Sequence, residues 1–154
     1  MRVTPPFDGL DQFDYGLRKA LDPYFDWQEF GSLLLQSTPS NTLLFAEGTF
    51  ELQFALFRIP DEENAVFMIG PWATAERSEK SRSWARRHIG EKGDDAVQSY
   101  YNGVRILSGS GFQASIVAVV SMVFPKEEFH LDQQKEFLPF HFTTDLRYFP
   151  EPEL

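Results

Sequence analysis

Three histidines, His88, His130 and His141, are the nitrogen ligands this chain can offer a metal, and it contains no cysteine. His88 follows Arg87, where neighbouring cations discourage a metal ion; His130 and His141 flank Asp132 with neither HxH nor HxxxH spacing. No metal site and no cofactor are expected. Without a thiol, cysteine catalysis and disulfides are excluded. Carboxylates recur as Asp61-Glu62-Glu63, Asp94-Asp95 and Glu127-Glu128, at turns and helix starts where negative charge caps and solvates. General acid–base work needs one carboxylate set among apolar neighbours, and none of these runs supplies that locally. The expectation is therefore not an enzyme.

Three other constellations remain. Ser108 to Phe112, SGSGF, precedes an apolar segment; its amides could cradle an anion, but it lacks the P-loop lysine and the GxGxxG spacing, so it reads as a loop and N-cap. Arg77, Lys80, Arg82, Arg86 and Arg87 cluster on one segment and read as a solvated helix face, or else as a contact surface for an acidic partner or a second subunit. Trp72, Trp84, Tyr100 and Tyr101 read as core, or else as rings around a small-molecule pocket.

The elements that must position these residues come from a chain of 154 residues, the size of one domain, with 42% hydrophobic residues and 16 phenylalanines. A net charge of −9 repels phosphate backbones and anionic lipid, so direct nucleic-acid or membrane binding is not expected. The N-terminal stretch has no apolar signal region, and the apolar run near 116–124 is too short to span a bilayer, so the expected location is the cytoplasm.

Leu10, Phe13, Leu17 and Leu21 form one helical stripe, with Asp8 as N-cap, Gly16 inside it and Pro23 closing it. Aromatic residues and Gly31 favour a hairpin from Tyr24 to Trp27 and back along Ser32 to Gln36. A helical turn capped by Ser40 or Asn41 follows. Phe50, Leu52, Phe54 and Leu56 alternate with Glu51, Gln53, Ala55 and Phe57, which predicts a strand from Phe50 to Ile59 with the first set buried. Ala65 to Trp72 is a near-continuous apolar run, expected as a central strand paired antiparallel to it and covered on both faces. Helices are expected near 75–89, with Thr74 as N-cap and Gly90 as the stop, near 94–102 ending at Gly103, and near 111–124 ending at Pro125. Phe140 to Tyr148 reads as a last strand before a Pro/Glu-rich tail.

Taken together, the stretches PYFDWQEFGSLLLQSTPSN, FELQFALFRIPDEENAVFMIGPW, DDAVQSYYNGVRIL and EEFHL resemble the N-terminal sensor domain of AraC-type transcriptional regulators from anaerobic Firmicutes. That family's IGP-aromatic corner is matched by Ile69, Gly70, Pro71 and Trp72, its YY step by Tyr100 and Tyr101, and its upstream YxFDxxG-LL segment loosely by Tyr24 to Leu35. The resemblance covers roughly residues 20 to 130. It implies an α+β, PAS/GAF-like fold, an antiparallel sheet with helices packed around it. Residues 1–139 would be the ligand-binding sensor, and 140–154 a strand and the start of a linker to a helix-turn-helix domain that this sequence does not contain.

The function expected on that basis is regulatory. The domain would bind an unidentified small effector and control DNA binding carried elsewhere, with a homodimer as a further partner. The alternative is a protein–protein interaction or dimerisation module with no small ligand. The expected pocket lies between the sheet and the helices after Pro71, walled by Phe54, Leu56, Met68, Trp72, Trp84 and Tyr101.

Overall fold

The computed structural model describes residues 26–107 and 110–137, together with Leu17 and Leu21. Its elements, in chain order, are α1 (Trp27–Ser37), β1 (Thr42–Glu47), β2 (Gln53–Arg58), β3 (Val66–Trp72), α2 (Glu79–Asn102), α3 (Gly111–Val123) and β4 (His130–Gln134). The fold is α+β. Its sheet has the order β3-β2-β1-β4, with β1–β2 and β2–β3 antiparallel and β4 parallel to β1. The sheet is thus mixed, where a wholly antiparallel one was expected.

The β2–β3 hairpin forms, pairing Leu56 with Met68 and Phe57 with Phe67, but β2 begins at Gln53 and not at Phe50, which lies in the turn before it and packs in a separate cluster. Both faces of β2 are buried. Phe54 and Leu56 point into a cluster with Phe30 and Leu34 of α1, Leu44, Leu52 and Tyr101. Ala55 and Phe57 point the other way, with Leu43, Phe45, Trp72, and Ile116 and Val120 of α3. The sheet is therefore sandwiched, with α1 on one face and α3 on the other. Each fully buried Leu or Phe contributes about 1.5–3 kcal/mol relative to exposure.

Three local expectations are corrected. Residues 27–37 are a helix and not a hairpin. Asp26 caps it, its side chain accepting the Glu29 N–H at 3.1 Å and its carbonyl the Phe30 N–H at 2.9 Å. Phe30 and Leu34, four residues apart, then seat one stripe on the sheet. The helix has no basic residue in its last turn. Arg58 of β2 supplies that charge, donating to the carbonyls of Leu35 and Thr38. Residues 42–47 are a strand rather than a helical turn, and they form a central one. Their run TLLFA is buried on both faces, which is what an uninterrupted apolar run requires. Val66–Trp72, by contrast, is an edge strand whose outer residues are partly exposed, with Phe67 at 50%.

The expected break at Gly90 is present as a kink. Gly90 adopts φ 74° and ψ 177° between two helical halves of α2. The N-cap of α2 is Ser78 rather than Thr74, its hydroxyl accepting the Ser81 N–H at 3.1 Å. Gly103 caps the far end, and α3 begins after Ser110 and stops at Phe124, one residue before Pro125. Leu17 and Leu21 are helical and buried against Phe50, Ala85, Ile89 and Val97. The rest of that first stripe, with Asp8, Gly16 and Pro23, and the strand and linker expected over 140–154 lie outside the described residues.

Candidate functional site

The end of β3 builds a groove. Ala55 pairs with Ile69 but Gln53 pairs with Trp72, so β3 carries one extra residue, a bulge formed by Gly70 and Pro71. Gly70 has φ 131°, and a Cβ there would stand 2.8 Å from the Gln53 carbonyl oxygen and 3.1 Å from the Phe54 ring. Glycine alone fits that combination of backbone angle and space. The Gly70–Pro71 peptide is cis, and Pro71, having no N–H to donate, sits in the bulge of an edge strand, with pairing resumed at Trp72.

Beyond Trp72 the chain is pinned to the segment that follows α2. The Ala73 N–H donates to the Arg105 carbonyl at 2.9 Å, and the Leu107 N–H donates to the Ala73 carbonyl at 2.7 Å. Between the bulge and this segment lies an open groove of about 710 Å³, lined by residues 69–72, Tyr100, Gly103, Val104, Arg105, Leu107 and Phe112. Trp72 is nearly buried and meets the Phe112 ring edge-on, centroids 4.9 Å apart at 77°. Ile69 and Leu107 pack into the same cluster. The polar lining differs from the apolar walls in one respect. Among the described residues Arg105, which is exposed, makes no ion pair or side-chain hydrogen bond, and no carboxylate of those residues lines the groove.

Of the six residues expected around a pocket, Trp72 lines this groove. Phe54, Leu56 and Tyr101 are buried together on the other face of the sheet, with Met68 packed against them. Trp84 lies in a third cluster, stacked on His88 at 4.3 Å and edge-on to Phe50 at 5.9 Å. The six are thus divided among three packed regions. Tyr100 rather than Tyr101 reaches the groove, since adjacent helical residues project about 100° apart. Phe112 was hidden inside a segment that reads as loop and cap. Arg105 lies in the stretch DDAVQSYYNGVRIL, but the sequence alone assigns it no role.

The carboxylates and arginines are also rearranged. Asp94 is not a solvated helix-start residue and Arg77 is not on a solvated face. They form an ion pair at 2.6 Å with both side chains 1% exposed. Arg86 and Arg82 approach the other Asp94 oxygen at 3.4 and 3.7 Å. These contacts tie both halves of α2 and the segment before it across the Gly90 kink. The start of α2 is held in turn by the β1–β2 turn. Glu51, at φ 63°, accepts from the Ser78 N–H at 3.1 Å and from its hydroxyl at 2.7 Å. The Tyr101 hydroxyl donates to the Ala75 carbonyl at 2.7 Å. Burial raises the Tyr101 phenol above its ordinary value, Glu51 adds to the rise, Arg77 opposes it and Glu47 adds a little more. Asp94 through its ion pairs, Glu51 through Ser78 and Tyr101 through Ala75 anchor α2 and the segment before it.

Comparison with protein-family models, with curated proteins and with solved structures finds no match to this chain. Among the described residues no group of His, Asp and Glu side chains could hold a metal ion, and no helix is long and apolar enough to cross a membrane.

Proposed function

We propose that this chain is the sensor domain of a bacterial AraC-type regulator, PAS/GAF-like in plan and cytoplasmic, and that its effector site is the groove at the Gly70–Pro71 corner. The observation that carries the reading is the groove itself. Its volume suits a small molecule, and its lining sets the Trp72 and Phe112 rings and the aliphatic Ile69, Val104 and Leu107 beside a comparable share of polar surface that includes Arg105. The corner belongs to the part of the sequence that resembles the family. DNA would be contacted by a domain outside these residues, because a net charge of −9 opposes phosphate binding.

The groove touches three elements, the bulge of β3, the end of α2 and the start of α3. A bound effector would favour the arrangement of these elements in which it makes the better contacts, and only such differential affinity can shift an equilibrium. The test is a metabolite library screened by thermal shift, with hits followed in a ¹⁵N–¹H NMR spectrum. The expected result is a compound that raises Tm and perturbs Ile69, Trp72 and Phe112, in a chain that leaves the anisotropy of duplex DNA unchanged. Salt-sensitive DNA binding would defeat the reading.

A second reading has its own observation. Helix α3 has no charged residue, and Val119, Met122 and Val123 are 57%, 80% and 62% exposed. A protein-interaction or dimerisation module would use that face. Concentration-dependent sedimentation abolished by Met122→Lys, with no library hit at the groove, would favour it.

A further inference from the structure

We infer that the groove selects a flat, largely apolar molecule bearing one anionic group, such as an aromatic carboxylate, with Arg105 as its counter-ion. The inference rests on the effector-site reading above and names the ligand class. The walls set the body of the ligand. Phe112 meets the nearly buried Trp72 edge-on, and Ile69, Pro71 and Leu107 add aliphatic surface beside them, so a planar ring can rest on the apolar part of a mixed lining.

The charge follows from what the arginines do. Arg77, Arg82 and Arg86 are committed to Asp94, and Arg58 to the carbonyls that end α1. Arg87 and Arg105 have no such commitment among the described residues, and of the two Arg105 lines the groove. Its backbone is fixed by the bridge to Ala73, so the side chain starts from a defined place. A guanidinium unpaired among the described residues, on a chain of net charge −9 and beside a groove that no described carboxylate lines, is a local site of opposite sign to its surroundings. A guanidinium fork matches a carboxylate in a bidentate manner, which a neutral amide cannot reproduce and an amine opposes.

The experiment titrates the whole 154-residue chain with three probes of one shape, indole-3-acetate, indole-3-acetamide and tryptamine, followed by ¹⁵N–¹H NMR. The acid should shift the resonances of Ile69, Trp72, Gly103, Leu107 and Phe112 and bind roughly 5- to 10-fold more tightly than the amide, the range of a partly exposed charge-assisted pair. Tryptamine should be weakest. Arg105→Gln should make acid and amide equal while leaving the rest of the spectrum in place, and added salt should narrow the difference in the parent chain. If acid and amide bind the groove alike in the parent chain, the anionic preference is wrong and the effector groove stands. If none of the three moves a groove resonance at millimolar concentration, the effector reading falls and this inference falls with it.

Discussion

The two helices that wall the groove are attached by different physics. Helix α2 is dense in charge and is fastened at identified points. Arg77, Arg82 and Arg86 converge on Asp94, Glu51 holds the Ser78 cap, and Tyr101 holds Ala75. Helix α3 has no charge and lies on the sheet through Ile116 and Val120, with Phe112, Val117 and Phe124 around them. Ion pairs and hydrogen bonds are directional, so they fix the Gly90 kink and the position of the α2 end that brings Tyr100 and Gly103 to the groove. Apolar contact is proportional to area and indifferent to small sliding. On the sensor reading, α2 is the reference wall, and α3, which brings Phe112, is the wall that occupancy can reposition.

The largest expected effects fall where groups are most completely committed. Asp94→Ala leaves Arg77 buried without its partner and should destabilise the fold by about 3–5 kcal/mol in urea melts. The double replacement Arg77→Met with Asp94→Leu sharpens the point. It removes both charges, and it should recover most of that loss if the damage comes from the orphaned cation. A double variant as unstable as the single one would mean that the pair itself carries the stability. Phe54→Ala belongs in the same range, about 3–5 kcal/mol, because it empties the centre of the α1-side core. A loss below about 1 kcal/mol would show that face to be loosely packed.

These residues also show what the sequence could carry. The β2–β3 hairpin was legible because alternation at period two is a local signal, and the kink at Gly90 and the cap at Gly103 were legible because glycine punctuates helices wherever they pack. Helix α1 was legible in principle. Asp26 with Glu29 three residues on is a capping pattern, and Phe30 with Leu34 is a helical spacing, but aromatic content and Gly31 argued for a strand. Strand β1 and strand β3 carry similar apolar runs. Which of them is central depends on β4 arriving from 130–134 to pair beside β1, a contact that no local pattern announces. The Asp94 cluster has the same character. Its three arginines lie 8 to 17 residues away in sequence, and only the folded kink makes one buried carboxylate their common partner.

The α3 side predicts a graded pair of effects. Ile116→Ala, cut from the contact with the sheet, should cost about 2–4 kcal/mol, in the range of buried aliphatic truncations. Met122→Ser, on the opposite side of the same helix and mostly exposed, should stay within about 0.5 kcal/mol in the monomer. Urea melts at low concentration separate the two. A substantial loss at Met122 that grows with protein concentration would move the outer face of α3 from solvent to an interface.

The smallest pH-dependent effect expected is at Tyr101, where the α2 attachment can be tested by titration. Its phenol is nearly buried and its proton is held above the ordinary value of 10.0, chiefly by burial, then by Glu51, with Arg77 opposing and Glu47 adding. The folded chain therefore binds this proton more tightly than the unfolded chain does. The corresponding stability is complete below the unfolded value of 10.0 and is lost as pH rises from there through the higher folded value. Tyr101→Phe keeps the ring in the core and gives up the bond to Ala75, a loss of about 1 kcal/mol at neutral pH. It should also flatten the alkaline decline. Urea melts of both proteins at about pH 8 and about pH 10.5 give the answer as a difference, so titration of other tyrosines and lysines cancels. A difference between parent and variant that narrows toward alkaline pH places the buried phenol in the attachment of α2. A constant difference would reduce its hydroxyl to a single hydrogen bond and leave the Asp94 cluster to hold the helix.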